Sequence, residues 1–205
     1  MSDGDRVKSL SELEALYSQP GETSLAKETP HLTSEYRRMI EASPFVVVST
    51  VGEGGLDSSP RGDAAPVVEV LDDRTLALPD RRGNNRLDTL KNIVTDPRIG
   101  LLFFIPGCNE TLRINGRAHL STCPEMIGRF EVDGKAPVTV VIIAIETVYF
   151  QCARALIRSE LWNPGRHVDR STLPTAGQMT KAALPEFDAD EYDDALPKRQ
   201  ADTLY

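Results

Sequence analysis

The segment PVVEVLDDRTLALPDRRGNNRLDTLKNI, residues 66–93, decides the expected fold. Two apolar runs, residues 66–71 and 75–79, flank three polar residues of the kind found in tight turns, which is typical of a β-hairpin. A helical pattern begins near Arg86, where apolar residues recur at spacings that place them on one face. The segment therefore predicts two antiparallel strands followed directly by a helix.

The junction between this hairpin and the helix has an unusual composition. Residues 80–85 hold two arginines, a glycine and two asparagines. Guanidinium groups, side-chain amides and free backbone N–H groups at the start of a helix suit a phosphate. Asn84 or Asn85 can equally serve as the N-cap of the helix, because Asn satisfies an orphan backbone donor at that position in any protein. The local chemistry leaves both interpretations open.

A second hairpin is predicted after the helix. The run IGLLFFI, residues 99–105, is too short to span a membrane and apolar enough for a strand buried on both faces. Residues 106–109 form the expected turn. Residues 110–121 then alternate apolar with hydrogen-bonding side chains, which predicts a strand with one buried face.

The order of these parts resembles the pyridoxamine 5'-phosphate oxidase-like family of flavin-binding split β-barrels. The similarity runs from about residue 43 to 121, more loosely to 164, and is strongest to a branch with SPRGD, LPDRRGNNRL and ETLRINGRA signatures. It implies a mainly β (α+β) fold, an antiparallel split β-barrel of the FMN-binding type with flanking helices. It also implies a homodimer with FMN held at the subunit interface.

The resemblance further implies which residues contact the flavin. In the family, the first hairpin strand contacts the ring through its backbone, the return strand supplies a pair of contacts, and an Arg-Lys pair binds the phosphate. The matching residues here are Pro66, Val67 and Val68, then Leu78 and Pro79, then Asn85 and Arg86, with Asn84 beside them. Asn85 leaves one fixed charge fewer, which Arg61, Arg81 or Arg82 is expected to replace.

Arg61 is a candidate ligand residue in its own right. Beside Gly62, it can present a guanidinium and an unobstructed backbone to a phosphate or ribityl chain. Asp63 can accept a hydrogen bond from a ligand hydroxyl, or it can simply neutralise Arg61.

Four further candidates lie later in the chain. Thr111 stands where the family has a glutamine that reaches the flavin of the other subunit, and Arg113 points to the same face. Arg158 and Trp162 are four residues apart and are predicted to share a helical face. In one interpretation, both residues contact the ligand. In the other, Trp162 anchors the helix, and Arg154 and Arg158 pair with Glu160 or with the acidic residues 186–205.

The charge distribution favours a small anion as ligand. The chain has 23 basic and 31 acidic residues, a net charge of −8, which argues against general nucleic-acid binding. Residues 81–117 nevertheless hold seven basic and three acidic residues, a basic island that predicts an anion site. Alternatively, these arginines only pair with neighbouring aspartates on the surface.

The chain is expected to form one domain with two extensions. Residues 1–42 are predicted as a helical extension, with helices over 9–17 and 33–42 covering the barrel. Residues 43–165 form the barrel, including one long strand or two over 138–153. Residues 166–205 form a C-terminal arm, in which 186–205 hold seven acidic and two basic residues and either pack on the barrel or partner or stay disordered.

Several functional classes are disfavoured. No apolar stretch is long enough for a membrane span and residues 1–10 are polar, so a cytoplasmic protein is expected. Three cysteines without C-x-x-C spacing and three scattered histidines predict neither a disulfide framework nor a metal site. No residue stands out as catalytic, because in a flavoenzyme the cofactor carries the redox chemistry.

The expected function is that of an FMN-dependent oxidoreductase acting on a small molecule. Family members that oxidise vitamin B6 hold the substrate phosphate with a basic residue at the end of the first hairpin strand and a C-terminal R-x-H motif. Here that strand ends in Glu69 or Val70, and the C-terminal region lacks the motif, so a different substrate is expected. The alternatives are a non-catalytic flavin- or haem-binding protein and a structural dimer with an empty site.

Overall fold

An antiparallel sheet of seven strands forms the centre of the computed structural model, which describes residues 5–205. The strands follow the order β2-β1-β5-β6-β7-β4-β3 across the sheet. They are β1 (Phe45–Gly52), β2 (Gly55–Gly62), β3 (Glu69–Val70), β4 (Thr75–Pro79), β5 (Arg98–Phe104), β6 (Thr111–Ser121) and β7 (Val140–Gln151). With its flanking helices, this sheet confirms the predicted mainly β split-barrel class.

Eight α-helices flank the sheet within the described residues. They are α1 (Leu10–Ala15), α2 (Glu22–Ala26), α3 (Ser34–Glu41), α4 (Asp88–Thr95), α5 (Pro124–Gly128), α6 (Arg154–Ser159), α7 (Ala176–Ala183) and α8 (Ala189–Asp202). No helix in this part of the chain combines the length and apolar character needed to cross a membrane.

The N-terminal helices only partly cover the sheet. Tyr36 and Ile40 of α3 are buried, so this helix packs on the core as predicted. By contrast, α1 and α2 bury no residue, and the prediction that the first helix also covers the barrel is wrong. The first four residues of the predicted 1–42 extension lie outside the described residues.

Alternate residues of β1, β5, β6 and β7 point into the core, whereas β2 and β3 bury no residue. Along β6, Leu112, Ile114 and Ala118 are buried, as the alternation predicts. The same alternation occurs in β5, whose Leu102 and Phe104 stay partly exposed. The prediction that β5 is buried on both faces is therefore wrong for the single chain, because uniform apolarity does not reveal whether this chain or another covers the outer face.

The first hairpin is present but shorter than predicted. Pro66 has no N–H to donate, and the Val67 N–H donates to the Ser43 carbonyl at 3.0 Å instead of to β4. Pairing with β4 therefore begins only at Glu69, opposite Ala77. The Val67–Ser43 bond ties the segment before β3 to the start of β1, which brings the two outer parts of the sheet together.

The acidic C-terminal segment is helical. Helix α8 packs on α7, where the Gly177 N–H donates to Asp193 Oδ1 at 2.8 Å. Gly177 is buried, and a Cβ there would lie 2.4 Å from the Ala189 carbonyl, so the close approach of the two helices requires glycine. Most of the segment thus forms one helix, and packing of the arm on a partner subunit stays a prediction.

Candidate functional site

A cavity of about 900 Å³ opens where the ends of β2 and β4 meet the start of α4. The loop 80–87 forms one wall, and residues 135–138 with Leu204 and Tyr205 form another. The predicted ligand residues that line it are Arg61, Val67, Leu78, Pro79, Asn84, Asn85 and Arg86. Residues from separate strands and the loop are thus brought to one place.

The start of α4 is an open helix end. The helix begins at Asp88 rather than near Arg86, and its N-cap residue is Leu87, with φ of 61° and no side-chain capping bond. The alternative in which Asn84 or Asn85 caps the helix is therefore wrong. Asn85 is itself left-handed, with φ of 59°, and Asn84 Oδ1 accepts from the Arg86 N–H at 3.1 Å. These two left-handed residues delay the helix and leave its first N–H groups without a side-chain cap.

Arg61 is held against this helix end. Its Nη2 donates to Thr89 Oγ1 at 3.2 Å, and its Nη1 donates to the Pro60 carbonyl at 2.9 Å. The buried Thr89 hydroxyl in turn donates to Asp57 Oδ2 at 2.7 Å. Arg61 does not pair with Asp63, so the alternative in which Asp63 neutralises it is wrong.

Asp63 belongs to a second polar cluster in the cavity wall. Arg81 Nε donates to Asp63 Oδ2 at 2.7 Å, and the two side chains are only 17% and 8% exposed. Arg81 Nη1 also donates to the Phe130 carbonyl, 2.5 Å away. The Tyr205 hydroxyl donates to Asp63 Oδ1 at 2.9 Å, a bond that raises the pKa of the Tyr205 phenol. Nothing in the sequence pointed to Tyr205.

Several charged side chains at the cavity are already paired within the chain. Arg86 Nε lies 2.8 Å from Asp88 Oδ2, which raises the pKa of Arg86. The alternative in which arginines pair with neighbouring aspartates thus applies to Arg86, but its side chain is still 74% exposed. Burial raises the pKa of Asp80, against the opposing effect of Arg61. Arg82 and Lys135 line the cavity in exposed positions, and neither forms an ion pair with another described residue.

The other predicted ligand residues do not line this cavity in the single chain. Val68 is fully buried in the core, and Pro66 is exposed just outside the wall. Thr111 is buried and its hydroxyl donates to Gln151 Oε1 at 3.5 Å. Arg113 Nη1 donates to the Tyr149 hydroxyl at 3.1 Å.

Arg158 and Trp162 lie apart from the cavity. Helix α6 ends at Ser159, and Glu160 is left-handed with φ of 49°, so the predicted shared helical face is wrong. Trp162 Nε1 donates to the Cys108 carbonyl at 2.7 Å. The indole borders an apolar hollow of about 400 Å³, whose other lining residues are Phe45, Val47, Phe104, Pro106 and Leu161. Arg158 is exposed, and Glu160 pairs with Arg166 instead.

One known family matches the part of the chain that forms the sheet. A family model described as pyridoxamine 5'-phosphate oxidase matches residues 32–152, more than half of the chain. The chain belongs to the pyridoxamine 5'-phosphate oxidase family. The resemblance seen in the sequence is thereby confirmed, and the match includes every strand of the sheet. No curated protein sequence matches the chain.

Solved structures with a related fold are only distantly similar. The HupZ protein of Group A Streptococcus is 20% identical, with a TM-score of 0.49 over 58% of this chain and 93% of that one. General Stress Protein 26 of Bacillus anthracis is 17% identical, with a TM-score of 0.43 over 55% and 88%. An FAD binding protein of Mycobacterium smegmatis is 10% identical, with a TM-score of 0.42 over 60% and 97%. Similarities this weak carry no argument about activity.

Proposed function

We propose that this protein is an FMN-dependent oxidoreductase, related to pyridoxamine 5'-phosphate oxidase, that acts on a different small molecule. One observation carries the proposal. A single cavity joins the uncapped start of α4, with Arg61 held against it, to an apolar wall that includes Leu78 and Pro79. A ligand that combines a phosphate with a flat apolar ring has the matching chemistry, and the family is one of flavin-binding proteins.

The anion end of the cavity has suitable donors for the phosphate. Arg61, Asn84, Asn85 and Arg86 would hold it, together with the first N–H groups of α4. The cavity lining contains five basic residues against three acidic ones, so its balance favours an anion.

The opposite wall has suitable groups for the ring. Val67, Leu78 and Pro79 are buried apolar residues that line the cavity, and they would pack against the isoalloxazine. When bound, FMN supplies the capacity to accept and donate a hydride or single electrons. The residues described here bind and orient the cofactor and exclude water, and none is assigned as a catalytic acid or base.

The cavity lining favours a phosphate-bearing ligand over haem. Haem iron takes a histidine, cysteine, tyrosine or methionine as axial ligand. Among the described residues that line the cavity, only Tyr205 is of these types, and its hydroxyl donates to Asp63. The cluster of cationic and amide groups instead favours a phosphate-bearing ligand.

We propose a homodimer in which a second copy covers the outer face of β1 and β5. Phe45 is 38% exposed, Leu161 is 47% exposed, and both border the apolar hollow beside Trp162. A contiguous apolar surface of this kind is typical of an interaction site. The partner would then bring its own Thr111 and Arg113 near the flavin, as the family resemblance implies.

The substrate is proposed not to be pyridoxamine 5'-phosphate. Glu69 does not line the cavity and pairs with Arg129, while Val70 packs against the core. Neither can supply the cation expected for a second phosphate. Arg154, Arg158 and Arg166, the C-terminal candidates for that role, are exposed and do not line the cavity.

The test is reconstitution of the purified protein with FMN, followed by two assays on the same sample. We expect flavin absorbance bands that persist after gel filtration and FMN reduction by a nicotinamide cofactor. Peroxide formation from pyridoxamine 5'-phosphate should stay at background. A protein that retains no FMN would overturn the proposed function, whereas efficient B6 oxidation would overturn only the substrate assignment.

A further inference from the structure

The wall of the cavity that holds Asp63 and Arg81 is built independently of Tyr205. The Asp63 N–H donates to the Pro44 carbonyl at 3.1 Å, and the Ala64 N–H donates to Asp63 Oδ1 at 2.8 Å. Arg81 is held by Asp63 and by the Phe130 carbonyl. Both side chains are therefore fixed by the ends of β2 and β4 and by the loop before β7.

Tyr205 occupies this wall with two kinds of contact. Its hydroxyl donates to Asp63 Oδ1 at 2.9 Å, and its ring lies under the Arg81 guanidinium, 5.2 Å from ring centroid to Cζ. Leu204 lines the same cavity but is 68% exposed. Because Arg81 uses its Nε and Nη1 edges for Asp63 and Phe130, the flat face of its guanidinium is available to a ring.

The segment that carries Tyr205 is otherwise lightly attached. Helix α8 precedes it and packs on α7, and Ala189 at its far end is its one buried residue. One hydrogen bond and one cation–π contact are each of modest strength, so a ligand able to make both can compete with Tyr205. A phenol is protonated near neutral pH, and the bond to Asp63 raises the pKa of Tyr205 further.

We propose that the Asp63–Arg81 pair is a subsite for a planar ring that carries an O–H or N–H donor, and that Tyr205 fills this subsite until a ligand displaces it. The carboxylate accepts the donor and the guanidinium packs on the ring face. The inference rests on the proposed function only in that the subsite opens into the same cavity. Two rings have this chemistry, the isoalloxazine with its N–H and a hydroxylated substrate ring.

The test removes the Tyr205 side chain by substitution and measures whether a small molecule with the same ring and hydroxyl binds in its place. Tyr205→Ala should bind p-cresol, the free form of the lost side chain, saturably and with a Kd on the order of 1 mM, as expected for a fragment. The intact protein should bind it about tenfold more weakly or not at all, because Tyr205 competes at high effective concentration. Toluene, which has the ring but no donor, should bind Tyr205→Ala about tenfold more weakly than p-cresol.

Tyr17→Ala is the control variant, because Tyr17 is 71% exposed and does not line the cavity. It should leave p-cresol binding at the level of the intact protein. Equal binding of p-cresol to Tyr205→Ala and to the intact protein would overturn the subsite. Equal binding of toluene and p-cresol to Tyr205→Ala would overturn the role of Asp63 as acceptor.

A second arm identifies the natural occupant. Saturating FMN should abolish p-cresol binding to Tyr205→Ala if the flavin ring uses the subsite, and FMN should then bind this variant more tightly than the intact protein. If p-cresol binds alongside FMN, the subsite takes the substrate ring. Either result upholds the subsite, and the p-cresol comparison stands even for a protein that binds no FMN.

Discussion

The guanidinium of Arg61 donates to the hydroxyl of Thr89, 3.2 Å away, and this bond ties the end of β2 to the first turn of α4. The Thr89 hydroxyl donates in turn to the Asp57 carboxylate at 2.7 Å, so that Arg61, Thr89 and Asp57 form a hydrogen-bond relay. The relay fixes a cation beside a helix end that no side chain caps. Positive charge and free N–H groups are therefore held together before any ligand arrives, which lowers the cost of ordering them on binding.

Replacing Thr89 with valine tests this relay. Thr89→Val keeps the shape but removes both hydrogen bonds of a buried hydroxyl, so it should lower the free energy of unfolding by about 1–3 kcal/mol and also weaken FMN. Denaturant unfolding and flavin-fluorescence titration measure the two effects. Thr95→Val is the control, because Thr95 is exposed at the other end of α4 and should change stability by about 0.5 kcal/mol or less. Equal effects of the two variants would contradict the relay.

Arg86 is the exposed cation expected to contact the phosphate. Arg86→Ala should weaken FMN by about tenfold to a hundredfold, since a hydrogen bond to a charged group contributes about 1.5–3 kcal/mol. Arg98→Ala is a matched control, because Arg98 also pairs with an aspartate two residues away and is similarly exposed, yet does not line the cavity. The FMN affinity of Arg98→Ala should equal that of the unchanged protein. An unchanged affinity for Arg86→Ala would remove Arg86 from the site.

Asp80 gives the site a pH dependence. Its folded-state pKa is raised above the ordinary 3.8 by burial, so ionisation of Asp80 destabilises the folded state. Below pH 3.8, Asp80 is protonated in both the folded and the unfolded state, and its contribution to the free energy of unfolding is fully present. That contribution is lost as the pH rises through the raised pKa of Asp80. Asp80→Asn should therefore equal the unchanged protein in stability at low pH and exceed it at neutral pH, as measured by urea unfolding across pH. A difference independent of pH would contradict this reasoning.

The apolar hollow beside Trp162 tests the dimer. Leu161→Glu places a charge in the proposed interface and should weaken dimerisation by about tenfold or more, as measured by analytical ultracentrifugation. Leu173→Glu is the matched control, since Leu161 and Leu173 are both 47% exposed and only Leu161 borders the hollow. A dimer that tolerates both substitutions would place the interface elsewhere.

The sequence predicted those features that depend on local patterning. The alternation of residues 111–121 predicts β6, and the turn composition before Thr75 predicts the start of β4. Both features are predictable because side-chain alternation and turn chemistry depend on only a few neighbouring residues. The composition of residues 80–85 predicts a junction between strand and helix, and the structure has a loop there, while its role in binding phosphate stays a prediction. Its helix start was misplaced by two residues. Asn readily adopts the left-handed backbone found at Asn85, but the left-handed Leu87 is not expected from its residue type.

Contacts between distant residues could not be predicted. Tyr205 and Asp63 are 142 residues apart and neither belongs to a recognisable motif. Trp162 was expected on a helix with Arg158, but the left-handed Glu160 ends that helix first. The apolar run of β5 predicts two buried faces, but the single chain buries only one of them. A sequence pattern does not distinguish burial within a chain from burial between chains.

The most direct test compares FMN with riboflavin, which has the same ring but lacks the phosphate. If the cluster around Arg61, Arg86 and the start of α4 binds phosphate, FMN should bind at least about tenfold more tightly than riboflavin at low salt, and Arg86→Ala should reduce that ratio. Fluorescence titration of both flavins against the same protein preparation gives the two dissociation constants. Equal affinities for FMN and riboflavin would contradict the central claim.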